Sequence, residues 1–251
     1  MKRDELVAYL DDLLQVEAID DRSNNGLQVE GVDSVEHLAF AVDASLAAFE
    51  GAREAGAQML VVHHGLFWGE PVMVTGIHRR RLNELLEAGV GLYAVHLPLD
   101  FHEEFGNNAV LARWLGLEQI GEFGEYWGHA AGRLGQLPAP LSLEALVTQI
   151  EQALGRPPIR VWRFGPENVQ RIAIVSGAGG SLVDQAAEAN VDVYLTGELS
   201  HNVYHQAREL GLNVIYGGHY ATETAGLRAL ADHLAGHFEL ETTFLDLPTG
   251  A

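Results

Sequence analysis

The sequence predicts an α/β protein made of two related three-layer α/β/α halves with mostly parallel sheets, and three observations carry that prediction. Short β-branched runs such as MLVVHH and NVIYGG alternate with amphipathic stretches of about 10 to 15 residues, the pattern of βαβ units whose right-handed crossovers set strands in parallel. The segment from Val35 is echoed, in pattern more than in identity, by the segment from Val169. At 251 residues with 47% hydrophobic content, the chain can bury one large core or two smaller ones without outside staples.

The elements follow in order. MKRDELVAYLDDLL mixes charge with apolar residues at helical spacing, and it lacks the continuous apolar core and small-residue cleavage site of a signal peptide. NNGLQVEG, Asn24 to Gly31, invites a turn at Asn-Gly, with Gln28 available to line a pocket. HLAFAVDAS then reads as a strand, SLAAFEGAREAG as a helix, AQMLVVHHG as a strand, RRRLNELLEAG as a helix and VGLYAVHLPLD as a strand. These form the first half, residues 1–125. Residues 126–166 hold several Pro and Gly, one helical pattern after Ser142 and antiparallel edge strands, and are expected to be a connecting segment. The second half, 167–251, repeats the order with RIAIVSGAGG, SLVDQAAEAN, VDVYLTGELS, HNVYHQARELG and LNVIYGGHYATE. A long helix, ATETAGLRALADHLAGHF, and a last strand, ELETTFLDLP, close the chain.

Composition excludes several classes of function. With no cysteine, disulfides, thiolate zinc sites and thiol nucleophiles are all absent, so any metal must be held by imidazole and carboxylate. Fifteen basic against 35 acidic residues give a formal charge of −20, which disfavours duplex nucleic acid as a partner. A polyphosphate ligand stays compatible if bound cations reverse the field locally. No apolar run approaches the ~18 residues of a membrane span, and a cytoplasmic protein is expected.

Ligands of open parallel sheets bind beyond the carboxyl ends of the strands. His63 and His64 follow MLVV, Asp100 follows LYAVHLPL, and His219 follows NVIYGG, so three strands end in ligand-type side chains. Adjacent strand residues point to opposite faces, and Gly65 would permit the bend that lets both histidines address one site. Glu223 stands four after His219, on the same face of the terminal helix. The alternative makes these histidines loop caps and the two acids helix caps or surface charges. Against it stands the cost of half-burying two adjacent imidazoles without partners, which a metal would supply. Five such donors exceed one tetrahedral zinc with an open position and suit two divalent ions that share a carboxylate, with Zn, Mn, Fe, Co and Ni all compatible. A pair of ions would lower the pKa of bound water enough to make a hydroxide nucleophile near neutral pH.

His96, His201 and His205 lie close to the same strand ends and are able to donate to phosphate or relay protons; His96 and His205 are the candidate catalytic residues. Glu198 is either an orienting partner for a ligand histidine or a helix cap. SGAGGS, Ser176 to Ser181, resembles a phosphate loop but lacks both G-x-G-x-x-G and a Walker lysine, and a tight turn with close packing is the better reading.

NNGLQVEG, VVHHGLFW, HLPLD followed by GNNA, TGE and GHYATE together resemble the YbgI-like, or Nif-three-like, family of dinuclear metal proteins, some members of which carry the name GTP cyclohydrolase I type 2. The resemblance spans nearly the whole chain. It implies His63, His64, Asp100, His219 and Glu223 as ligands of two divalent ions, with Glu223 the bridge, in a ring-shaped homohexamer of paired α/β halves. Two departures stand near those ligands: Leu97 and Pro98 replace the Thr-Asn of many relatives, and Tyr220 replaces a second His. The expected function is a metal-dependent hydrolase in which a metal-bound hydroxide attacks a small nucleotide or phosphoester. GTP cyclohydrolase I type 2-like ring opening and a non-catalytic metal-binding scaffold are the alternatives.

Overall fold

The computed structural model describes residues 1–126, 128–198 and 201–251; Trp127, at the start of the expected connector, and Leu199 and Ser200, in the VDVYLTGELS stretch, lie outside the described residues. The chain forms two compact units. One comprises Met1–Phe105 with Leu227–Leu247, the other Gly106–Gly226 with Pro248–Ala251.

The first unit runs through α1 (Arg3–Leu13), β1 (Gly26–Val29), β2 (His37–Asp43), α2 (Leu46–Ala55), β3 (Met59–His64), α3 (Gly76–Ala88), β4 (Gly91–Ala94) and the short α4 (Leu97–Phe101). The second holds α5 (Asn107–Trp114), β5 (Glu118–Tyr126), β6 (His129–Ser142), α6 (Leu143–Leu154), β7 (Arg160–Trp162), β8 (Asn168–Val175), α7 (Val183–Glu188), β9 (Val193–Thr196), α8 (Val203–Glu209), β10 (Asn213–Tyr216) and α9 (His219–Thr222). Then come α10 (Thr224–Phe238) and β11 (Glu241–Phe244). Among the described residues no helix is long and apolar enough to cross a membrane.

In the first unit β4, β3, β2 and β11 are parallel neighbours, and β1 lies antiparallel on the outer edge of β4. Alternate side chains explain its layers. Ala39, Ala41, Leu60 and Val62 pack with Phe49 and Ala52 of α2 and Leu85 of α3. The intervening Leu38, Phe40, Met59 and Val61 are equally buried, so the sheet is covered on both faces, as parallel strands require. Tyr93 marks the covering of the second face, since its hydroxyl donates to Asp11 of α1 at 2.8 Å. Truncating a fully buried side chain here, Leu85→Ala for example, would cost about 2–5 kcal/mol.

The second unit repeats this core. β8, β9 and β10 are parallel in that order, and β7 lies antiparallel on the outer edge of β10, with Tyr216 opposite Arg160. The internal repeat is therefore one of strand order: three parallel strands, preceded in sequence by an antiparallel strand that pairs with the third. Helix ends repeat the same chemistry. Ser45 and Ser142 cap α2 and α6 by accepting from Ala48 N and Ala145 N.

The boundaries differ from those expected. Residues 126–166 are not a connector: β6, α6 and β7 belong to the second unit, where β6 pairs with both β5 and β8. The Pro and Gly that suggested a linker have strand roles. Pro138 and Pro140 fall in the irregularity between Gln136 and Leu141, where a missing N–H is tolerated. Gly132 lets β6 approach β8, since a Cβ there would sit 2.1 Å from the Ile174 carbonyl oxygen. The C-terminal β11 joins the first sheet, not the second, because β2 would otherwise present an unpaired edge.

Candidate metal sites in the two units

β3 ends in MLVVHH. Four apolar residues bury the strand in the sheet, so the histidines emerge at its carboxyl end, His63 fully buried and His64 half-buried. Their ring centroids are 4.8 Å apart, and His96, just past β4, lies 5.0 Å from His63 and 5.6 Å from His64. One ligand atom from each of the three falls within 4.8 Å of the others, which is a spacing that can hold a metal ion. Asp100 joins them because α4 turns immediately after His96. Its carboxylate Oδ2 stands 3.4 Å from His63 Nε2.

The hydrogen bonds on the other side of these rings decide what each ring can do. His63 Nδ1 donates to the Val95 carbonyl at 2.9 Å, His64 Nδ1 to Asp43 at 2.8 Å and His96 Nδ1 to Asp21 at 3.0 Å. A carbonyl and an ionised carboxylate accept only, so each Nδ1 carries a proton, and the nitrogen left to give up its proton and offer a lone pair is Nε2. Burial would push the Asp21 carboxyl up, but its hydrogen bond to His96, the nearby imidazole charge and the donors of Asn25 and Leu97 hold it well below the usual carboxylate range.

NNGLQVEG braces this cluster and does not line a pocket through Gln28. The Gln28 amide oxygen accepts from Leu66 N, and its nitrogen donates to the carbonyls of Asn24 and Phe67. It thereby clamps the turn that follows His64. Gly65 is required there for space: a Cβ would lie 2.4 Å from Gln28 Nε2 and 2.7 Å from Ala94 Cβ. Asn25 accepts from His96 N and donates to Asp21, which orients both members of that pair.

In the second unit His219 opens α9 directly after β10. The expected single helical face is interrupted, because Glu223 ends the short α9 with φ −99° and ψ 3° before α10 begins. The i, i+4 pair still meets, with His219 Nε2 3.1 Å from Glu223 Oε1. His219 Nδ1 faces Glu198 at 3.0 Å, which makes Glu198 an orienting partner and not a helix cap. The hydrogen bond to Glu223 outweighs desolvation and, with Glu198, pushes His219 up to about 9.

SGAGGS packs behind these residues and is not a phosphate loop. Its Gly177 and Gly179 amides donate to the hydroxyls of Thr222 and Thr196. Gly177 has φ +59°, and a Cβ there would fall 2.2 Å from Glu223 Oε1 and 3.3 Å from His219 Nε2. Only glycine allows the buried Glu223 carboxylate this close to the loop.

Of the two candidate catalytic residues, His96 lies within the histidine cluster. His205 instead is exposed on α8 with its ring against Tyr204, and the neighbouring His201 lines a cavity together with Glu198. Leu97, Pro98 and Tyr220 are buried, the last beneath the Arg156 guanidinium. Asp43 and Asp21 were not legible as functional residues. Asp43 ends the strand beside β3, opposite His64, and that register was the one available signal.

The family model of Duf34/NIF3 (NGG1p interacting factor 3) matches residues 1–249. A Pyrococcus horikoshii protein named GTP cyclohydrolase 1 type 2 homolog is 46% identical over 250 residues, covering 100% of both chains. Among solved structures, protein ybgI is similar with a TM-score of 0.93 at 42% identity. TTHA1606 from Thermus thermophilus is similar with a TM-score of 0.92 at 45% identity, and both comparisons cover 100% of each chain.

Proposed function

Since the chain belongs to the Duf34/NIF3 family, we propose that it is a divalent-metal-dependent hydrolase. His63, His64 and Asp100 from the first unit and His219 and Glu223 from the second are its ligands for two ions per chain. The observation that carries this reading is the kind of partner behind each histidine. In His63, His64, His96 and His219 the Nδ1 faces an oxygen that only accepts, which commits Nε2 to act as the ligand atom.

The donor set fits borderline divalent metals, being imidazole and carboxylate without thiolate. When bound, such ions would lower the pKa of a water ligand and polarise a substrate oxygen. The chain's own residues hold the donors still: Asp43 and Asp21 fix the rings of His64 and His96, and Gln28 fixes the turn after His64. His96 adds either another nitrogen donor or a proton carrier beside His63 and His64. The name of the Pyrococcus horikoshii relative favours opening of a purine ring as one version of this chemistry.

The test is metal analysis of protein purified without chelator, followed by a hydrolysis screen against nucleotides and phosphoesters. The reading expects two metal equivalents, turnover that chelation abolishes, and lower metal content in His64→Ala. A fully loaded His64→Ala removes the ligand assignment, and a loaded wild type that hydrolyses nothing favours the metal-binding scaffold.

A further inference from the structure

A cavity of about 360 Å³ opens in the second unit, lined by Ile159, Arg160, Trp162, Glu198, His201 and Tyr216. Its position follows from topology. Glu198 lies just past the carboxyl end of β9 and Tyr216 ends β10, while β7 runs antiparallel and so brings Ile159 and Arg160 to the same end of the sheet. Ile159 N donates to the Tyr216 carbonyl at 2.8 Å and seals that corner. The carboxyl end of parallel strands is where open α/β sheets take small ligands, and the volume is in the range of small-molecule pockets.

The walls divide by chemistry. Trp162 and Tyr216 form the aromatic side, and Trp162 is held edge-on by Tyr216 at 5.0 Å and by Tyr204 at 4.9 Å between centroids. A wall immobilised in this way loses little entropy when a ring stacks on it. Arg160 is the cation of the cavity. Among the described residues no carboxylate lies within ion-pairing distance of it, in a chain with 35 acids to 15 bases. Glu198 and His201 form the polar side, and Glu198 also receives His219 Nδ1, so a ligand seated here touches a side chain that orients the proposed metal ligand.

We propose that this cavity binds a mononucleotide-sized anionic heteroaromatic molecule, its ring against Trp162, its phosphate on the Arg160 guanidinium and its ring N–H groups towards Glu198. As the seat of a hydrolase substrate the assignment rests on the function proposed above; as a binding site it stands on the cavity alone. The guanidinium supplies the fork that matches a phosphate, and the −20 formal charge of the chain makes that single cation the discriminating contact.

The experiment is calorimetric titration of the full chain, metal-loaded and chelated, with AMP, GMP, CMP and UMP, their nucleosides, and ribose 5-phosphate. At least one monophosphate should bind about 10-fold more tightly than its nucleoside and than ribose 5-phosphate. Arg160→Gln should abolish the advantage over the nucleoside, with unchanged metal content and thermal midpoint. Trp162→Leu should weaken nucleoside binding by about 10-fold, and Trp162→Phe should restore most of it. The proposal is overturned if no monophosphate binds at about 1 mM, or if Arg160→Gln binds the monophosphate as wild type does. A monophosphate that binds with these dependences and is never hydrolysed leaves the cavity assigned and removes the hydrolase reading. Hydrolysis that Arg160→Gln leaves untouched does the reverse.

Discussion

Asp43→Ala should weaken metal binding while leaving the fold intact. The Asp43 carboxylate accepts from His64 Nδ1 at 2.8 Å, with the aspartate side chain 41% exposed and the histidine 20%. A hydrogen bond to a charged group is worth about 1.5–3 kcal/mol when buried, and exposure reduces this one to about 1–2 kcal/mol. Lost from the bound state, that is about a 5- to 30-fold rise in the dissociation constant, in line with the effect of removing a partner behind a metal-bound histidine. The assay is competition for Zn²⁺ against a chromophoric chelator, with circular dichroism of the apo protein as the control. Asp43→Asn keeps an acceptor oxygen and should lose less. An Asp43→Ala affinity within a factor of about two of wild type would falsify the argument that tautomer control behind His64 serves a metal.

Glu223→Gln keeps the shape and removes a charge, so the metal stoichiometry should fall from two towards one; two ions bound with unchanged affinity would exclude Glu223 as the shared ligand. Gly177→Ala adds a Cβ 2.2 Å from Glu223 Oε1 at a φ of +59°. It should cost about 1–3 kcal/mol in urea unfolding and weaken metal binding as well, and a stable variant with full affinity would show the close approach to be dispensable. In chelated protein His219 is held up to about 9, first by its bond to Glu223. The folded value lies above the ~6.5 of an unfolded histidine, so the stabilisation is full below about pH 6.5 and lost as pH rises through about 9. Discounted for the screening of a partly exposed group, it is on the order of 1–3 kcal/mol. Urea titrations near pH 6 and pH 9.5 should show the loss in the wild type and not in Glu223→Gln, and equal pH dependence in both would disprove the coupling.

Local pattern was enough to show which residues stand at strand ends. A short continuous apolar run followed by histidine is a short-range signal, so His63, His64 and His219 were legible from MLVVHH and NVIYGG, and the strand-order repeat from the alternation of elements. Asp100, read from VGLYAVHLPLD as the end of a strand, stands instead on α4 after β4 has stopped at Ala94. Cysteine-free composition likewise limited the donors to imidazole and carboxylate. What holds the rings depends on contacts that form only in the folded chain. Asp43 reaches His64 across 21 residues and Asp21 reaches His96 across 75, and nothing in the spacing of those acids distinguishes them from the others among 35. The same is true of Gly65 and Gly177, read as a bend and a turn, whose actual requirement is the room taken by Gln28 and Glu223. It is true as well of the placement of residues 126–166 and of the last strand: both were legible as strands, but Pro and Gly made the first a linker in a local reading, and sequence order assigned the second to the second half. Only the open edges of β8 and β2, created by strands far away in sequence, decide which sheet those strands join.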